Sequence, residues 1–296
     1  MNSSIEEVKN TYKPYRLTKK KSVTIIDSTS GSFVIKECSD TKVKEAYNYL
    51  ISRNFDYFPK LVSEFRDRNV FEYIEGVEMP PEQKALDMID LVALLHNKTT
   101  YYKEITEDRY KEIYENIKNN IMYVDEYYNN LYNMLIEEKD LSPKDYLLMR
   151  NIYKIFAASS FASEELDNWY DAVKTDLKSR VVFVHNNLEI DHFIRNTKGY
   201  LISWEKSRID SPILDLITFY QKEYMNFDFE PIFKRYFKNY PLTKNEKKLL
   251  FLVLSIPPII KLDGPQMKVI KDTRLKLDYL FKTEQLVKIF LSNEDI

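Results

Sequence analysis

The sequence is poor in the residues that build several common functional sites. It has a single cysteine, Cys38, so no intramolecular disulfide can form, no cysteine-based zinc site can be assembled, and a reducing compartment is expected. Its 4 glycines, Gly31, Gly76, Gly199 and Gly264, leave no G-x-G-x-x-G or G-x-x-x-x-G-K-[ST] phosphate loop. Charge of one sign is also lacking: 44 basic residues stand against 46 acidic ones, and a net charge of -2 gives no bulk attraction to nucleic acid or an anionic membrane. The longest apolar run, Leu249 to Ile260, is broken by Pro257 and Pro258 and falls short of the roughly 20 residues that cross a bilayer. The first residues, Met1 to Glu6, are polar and acidic rather than charged and then apolar, so no signal peptide is expected. What remains is 296 residues, 44% hydrophobic and 14% aromatic, enough for one large domain or two lobes around an extended core.

The pattern of residues changes near residue 77. Ser22 to Lys36 holds two β-branched runs around the turn-forming Ser28-Thr29-Ser30-Gly31-Ser32, a hairpin signal. Ser39 and Asp40 are N-cap candidates for a helix whose apolar stripe is Val43, Ala46, Tyr47 and Leu50. Strand-like segments follow at Phe58 to Glu64 and Asn69 to Ile74, closing at Glu75-Gly76. After Pro80 and Pro81 helical spacing takes over: Leu86, Ile89, Ala93 and His96, then Ile113, Ile117, Ile121, Val124, Tyr128, Leu131 and Leu135. Ser142-Pro143 reads as a helix start with Pro at its first position, and Thr243 to Glu246 as a capping box. Val181 to Phe183 and Tyr200 to Ser203 are short β-like runs. The predicted fold is therefore α+β: an N-terminal lobe of antiparallel sheet and one helix over 1–77, and a mainly helical lobe over 78–296.

Four segments fall in one order: Val34-Ile35-Lys36 at a strand end, Lys44-Glu45-Ala46 on a helix, Phe71-Glu72-Tyr73-Ile74-Glu75-Gly76 at a strand end, and His185 to Asp215. Within the last, His185-Asn186-Asn187-Leu188-Glu189-Ile190-Asp191-His192 fits the frame H-G-D-x-x-x-x-N, Ile202-Ser203-Trp204-Glu205 fits I-D-W-E, and Asp210 to Leu216 is similar to D-P-x-x-D-L. Over residues 15 to 260 the chain resembles the aminoglycoside phosphotransferase and choline kinase superfamily, a two-lobe protein-kinase-like fold. Leu50 to Pro59 and Ile202 to Glu205 look most like its bacterial spore-coat-associated branch.

The resemblance implies a role for each matching position. The first aspartate of the loop accepts the substrate hydroxyl's proton, and this chain has Asn187 there; the two metal-holding positions are His192 and Ser203. A carboxamide cannot take that proton at neutral pH, and a serine hydroxyl or an imidazole brings no negative charge to a hard cation. Lys19-Lys20-Lys21 stands where the family approaches ATP with small or glycine-rich sequence, and it reads first as a solvated turn rather than a phosphate or lipid site. The scaffold is kept: Lys36 and Glu45 as an ion pair, Glu72 to Glu75, with Ile74, as the nucleotide hinge, His185 as a packing histidine, and Asp215 as the acceptor of hydrogen bonds from the loop.

The expected function is thus a pseudokinase with a scaffold or binding role. Its cofactor would be none, or ATP held at Lys36 without magnesium; a protein partner is open, no nucleic acid or membrane span is expected, and a small-molecule substrate is not. The setting would be cytoplasmic, with spore association on the narrower resemblance. Two rivals stay open: an active phosphotransferase using Glu189 or Asp191 as displaced bases, and a nucleotide sensor. Asp191, His192 and His185 can be read as metal ligands or as ordinary loop residues, and Tyr123 to Tyr132 as a partner surface or as core.

Overall fold

The structure, a computed structural model, describes residues 3–20, 23–37, 42–106 and 108–291. In chain order the elements are α1 (Ser3–Tyr12), β1 (Arg16–Lys20), β2 (Val23–Ser28), β3 (Gly31–Glu37), α2 (Lys42–Ser52), β4 (Leu61–Phe65), β5 (Arg68–Glu72), α3 (Pro81–Thr99), β6 (Tyr101–Glu104), α4 (Asp108–Ile136), α5 (Pro143–Val173), β7 (Lys178–Val184), β8 (Phe193–Arg195), β9 (Gly199–Leu201), β10 (Arg208–Asp210), α6 (Ile213–Glu223), α7 (Phe229–Asn239), α8 (Lys244–Ser255) and α9 (Gln266–Leu291). The chain is α+β, as its patterning predicts. The N-cap candidates Ser39 and Asp40, and Lys21 of the lysine run, lie outside the described residues.

Two compact units divide the chain: 1–100 with 182–210, and 101–181 with 211–296. The first unit thus takes in α3 and the His185 to Asp210 segment as well as the residues ahead of 77. Its sheet is antiparallel in the order β1-β2-β3-β5-β4. The β2–β3 hairpin pairs Val23 with Lys36 and Ser28 with Gly31. Gly31 closes the turn at φ 127°, a region that side chains with a Cβ rarely enter. Val8, Ile26, Ile35 and Val70 form the buried cluster beneath this sheet. In α2 the predicted stripe Val43, Ala46, Tyr47 and Leu50 is buried.

The second unit is helical around Ile121, Ala162, Leu166, Trp169, Val173 and Leu252. Pro143 occupies the first turn of α5, and Thr243 and Glu246 form the capping box of α8 with both reciprocal bonds present. The tyrosine-rich stretch of α4 is partly internal. Tyr128 Oη donates to the Pro258 carbonyl at 2.6 Å and accepts from the Ile260 amide at 2.9 Å, and Tyr127 Oη donates to the Ile260 carbonyl at 2.7 Å. These bonds hold the segment that follows the proline pair, while Tyr123 is exposed. Among the described residues no helix is long and apolar enough to cross a membrane.

Candidate functional site

A cleft of about 1120 Å³ lies within the first unit. One wall is the sheet, with Ile25, Val34, Lys36 and Phe71; the facing side chains include His192, Ser203 and Glu205. Alternation along the strands explains the sheet wall, because Val34 and Lys36 share one face of β3 while Ile35, between them, is in the core. Glu72 and Ile74 line the cleft. The Glu72 carboxylate accepts from the Lys60 amide at 2.9 Å, which fixes the end of β5.

The segment after β5 is tied to the β8–β9 hairpin. The Val77 amide donates to the Arg195 carbonyl at 2.7 Å, and Asn196 Nδ2 donates to the Glu75 carbonyl at 2.8 Å. Gly199 starts β9 directly against the Phe193 ring: a Cβ there would stand 2.7 Å from Phe193 Cε2 and 3.4 Å from Leu91 Cδ2. Phe193 is buried. Gly199→Ala is expected to destabilise the protein by about 1–3 kcal/mol, as overpacking does; a urea melt with an unchanged midpoint would show that the ring has room.

The loop from His185 to His192 is set by backbone geometry and two imidazoles. Asn186 takes φ 55°, and asparagine tolerates this left-handed conformation at the place where the family frame has glycine. Its Nδ2 donates to the Lys206 carbonyl at 3.1 Å. His185 is buried, and since a carbonyl can only accept, its Nε2–H donates to the Ile202 carbonyl at 2.8 Å. Its ring meets Trp204 edge to face at 4.7 Å. His192 faces acceptors with both nitrogens: Nδ1 lies 2.7 Å from the Asn187 carbonyl and Nε2 2.8 Å from Glu189 Oε1.

That arrangement bears on the two positions for which the resemblance implies a metal. His192 turns both ring nitrogens toward oxygen acceptors of its own loop, and Ser203 offers only a neutral hydroxyl. These residues do not fit magnesium, a hard cation that takes oxygen ligands. Among the described residues no group of three or more His, Cys, Asp or Glu side chains is placed to hold a metal ion.

Lys36 is met by residues far off in sequence: its ammonium ion pairs with Glu205 and donates to Ser203 Oγ at 3.2 Å. Glu45 is about 200° around α2 from Val43, on the side away from the buried stripe, and it is exposed. Ser203 sits at φ 70°, ψ 56°, a left-handed conformation that costs a serine about 1–2 kcal/mol. It is held there by its bond from Lys36 and by the burial of Trp204 next to it. Tyr47, buried on the cleft wall, has its hydroxyl held far above the usual phenol range, first by burial and then by the nearby carboxylates of Glu205 and Glu72.

The remaining expected residues are dispersed. Asn187 is half-buried but is not among the residues lining the cleft, whereas Glu189 and Asp191 are. Lys20 of the lysine run also lines it. Asp215 is fully buried in the first turn of α6, in the second unit. Sequence reasoning missed Glu205 as the partner of Lys36, although it stands two residues after Ser203 in the segment already singled out. It also missed Tyr47, which was visible only as one of four apolar positions on a helix.

No protein-family model and no curated protein sequence matches the chain. Solved structures do match. An aminoglycoside phosphotransferase from Alicyclobacillus acidocaldarius superposes with a TM-score of 0.69 at 11% identity, covering 94% of this chain and 93% of that one. The AMP-bound complex of a spectinomycin phosphotransferase gives 0.56 at 12% identity over 96% and 93%. The complex of a spectinomycin phosphotransferase with ADP and spectinomycin gives 0.52 at 12% identity over 95% and 97%.

Proposed function

We propose that this chain, having the fold of the aminoglycoside phosphotransferases, is a non-catalytic kinase-fold protein that serves as a scaffold or a binding module. The observation that carries this reading is the state of Lys36: its ammonium is taken up by a serine hydroxyl and a glutamate of the chain itself. In the resemblance, Ser203 stands where a metal-holding carboxylate would be. Asn187, at the place of the general base, has a carboxamide that cannot accept a proton at neutral pH. Phosphoryl transfer depends on positioning and on metal neutralisation of the phosphates, and neither is supplied by the residues at those positions. A spore-coat setting belongs to this reading only through the sequence likeness of Leu50 to Pro59 and Ile202 to Glu205.

Magnesium-dependent transfer of phosphate from ATP to aminoglycosides or choline is expected to be undetectable. Turnover in the range of about 1 to 100 per second usual for kinases would overturn the reading. Thermal shift with ATP, with and without magnesium, runs beside it: no shift supports a scaffold, and a metal-independent shift supports a nucleotide-binding module.

A second reading has one observation in its favour. Glu189 and Asp191 both line the cleft, so two carboxylates are present where a displaced base could act. If turnover is found, Glu189→Gln and Asp191→Asn should abolish it singly or together. Turnover unchanged by either would dismiss the displaced-base reading.

A further inference from the structure

Lys36, Ser203 and Glu205 all line the cleft, and Glu205 is the anion that meets the Lys36 ammonium. An internal carboxylate paired with a lysine in a ligand-sized cleft occupies the position that an anionic group of a ligand would take. Two features make that position built rather than incidental. Glu205 lies in a short 3-10 turn, Trp204–Lys206, whose first residue is buried and whose indole donates to the Leu201 carbonyl at 2.8 Å, so the core sets where the carboxylate goes. Ser203, just ahead of the turn, presents its hydroxyl to the same ammonium at 3.2 Å, completing a pair of groups that can face one anionic oxygen.

The pair is also exchangeable. The Lys36 side chain is 22% exposed and that of Glu205 is 39% exposed, and ion pairs in contact with water are weak. A polyanion entering the cleft must therefore displace Glu205 from Lys36 and then tolerate its charge nearby. The Tyr47 hydroxyl already senses the Glu205 and Glu72 charges.

We propose that Glu205 is an internal competitor for the anion position at Lys36, so that the affinity of the cleft for phosphate-bearing ligands is set by displacement of this side chain. The proposal deepens the reading of the cleft as a non-catalytic binding site and rests on it.

The test is calorimetric titration of the full chain with inorganic tripolyphosphate and with ATP, both in EDTA, for the wild type, Glu205→Gln and the double variant Lys36→Met with Glu205→Gln. Glu205→Gln should bind both probes at least about tenfold more tightly than the wild type, the effect of removing one repulsive charge at close range. The double variant should lose the gain. Equal affinities for the wild type and Glu205→Gln, no binding by either, a gain confined to ATP, or a gain that survives loss of Lys36 would each overturn the proposal. Glu205 is exposed enough for Glu205→Gln to fold; should it not, Glu205→Asp, with its carboxylate one methylene shorter, should show a smaller gain, and no gain there would overturn it equally. Phosphate transfer by the wild type with magnesium is read in a separate assay. Turnover there would end the non-catalytic reading while the affinity comparison still decides whether Glu205 competes.

Discussion

Replacing Trp204 with alanine is expected to cost about 3–5 kcal/mol, the range for removing a buried tryptophan. Its side chain is 1% exposed and sits in an aromatic cluster: His185 at 4.7 Å, Phe183 at 6.2 Å and nearly parallel, Phe55 at 6.1 Å and Phe58 at 6.3 Å. A loss of that size is a large part of the about 5–15 kcal/mol that keeps a domain folded. Trp204→Phe retains most of the ring but leaves the Leu201 carbonyl without the indole donor, so it should cost less, about 1–3 kcal/mol. Urea denaturation followed by circular dichroism gives the order, with Trp169 remaining as a fluorescent reporter of the second unit. A loss under about 1 kcal/mol for Trp204→Ala would show that the loop carrying Ser203 and Glu205 is not anchored by this indole.

The other large effect is expected in the second unit, at Glu246. Its carboxylate accepts from Arg180 Nε at 2.9 Å and also from Arg180 Nη2, and it closes the α8 capping box by accepting from the Thr243 amide at 2.8 Å. Both side chains are mostly buried, at 15% and 14% exposed, and the Arg180 guanidinium also lies 4.8 Å over the Tyr240 ring. Glu246→Ala strands a largely desolvated guanidinium and opens the cap, so it should cost about 3–5 kcal/mol. The paired replacement Arg180→Met with Glu246→Leu removes the stranded charge and should recover most of that loss, because well-packed apolar groups can replace a buried ion pair at little cost. A loss below about 1 kcal/mol for Glu246→Ala would class the pair with surface salt bridges.

The contrast between Glu246 and Glu205 shows what could be read from the chain. The α8 cap was legible because Thr243 and Glu246 are three residues apart, and one turn of helix brings such groups together whatever the rest of the protein does. The β2–β3 hairpin was legible for the same reason, as β-branched runs around a glycine turn. The long helix α4 followed from its apolar steps of three and four, although its start at Asp108 and the length of α5 did not. Helix α1 and strand β1 were not foreseen. The described part of the lysine run extends an exposed edge strand, where charge is compatible with pairing on one side only.

Composition and short-range spacing were enough for the α+β class, the strand that ends in Lys36, the helix stripe of Val43 to Leu50, the caps at Pro143 and Thr243, and the lack of carboxylates at positions 187 and 203. Each depends on composition or on neighbours within a turn or two, where backbone geometry leaves few choices. Long-range packing is what brings Lys36 to Glu205, a residue 169 positions away, turns both His192 nitrogens toward Asn187 and Glu189, and puts Glu189 and Asp191 rather than Asn187 along the cleft. Which charges meet at such a site depends on how segments far apart in sequence pack over one strand end, not on the spacing of the charged residues themselves.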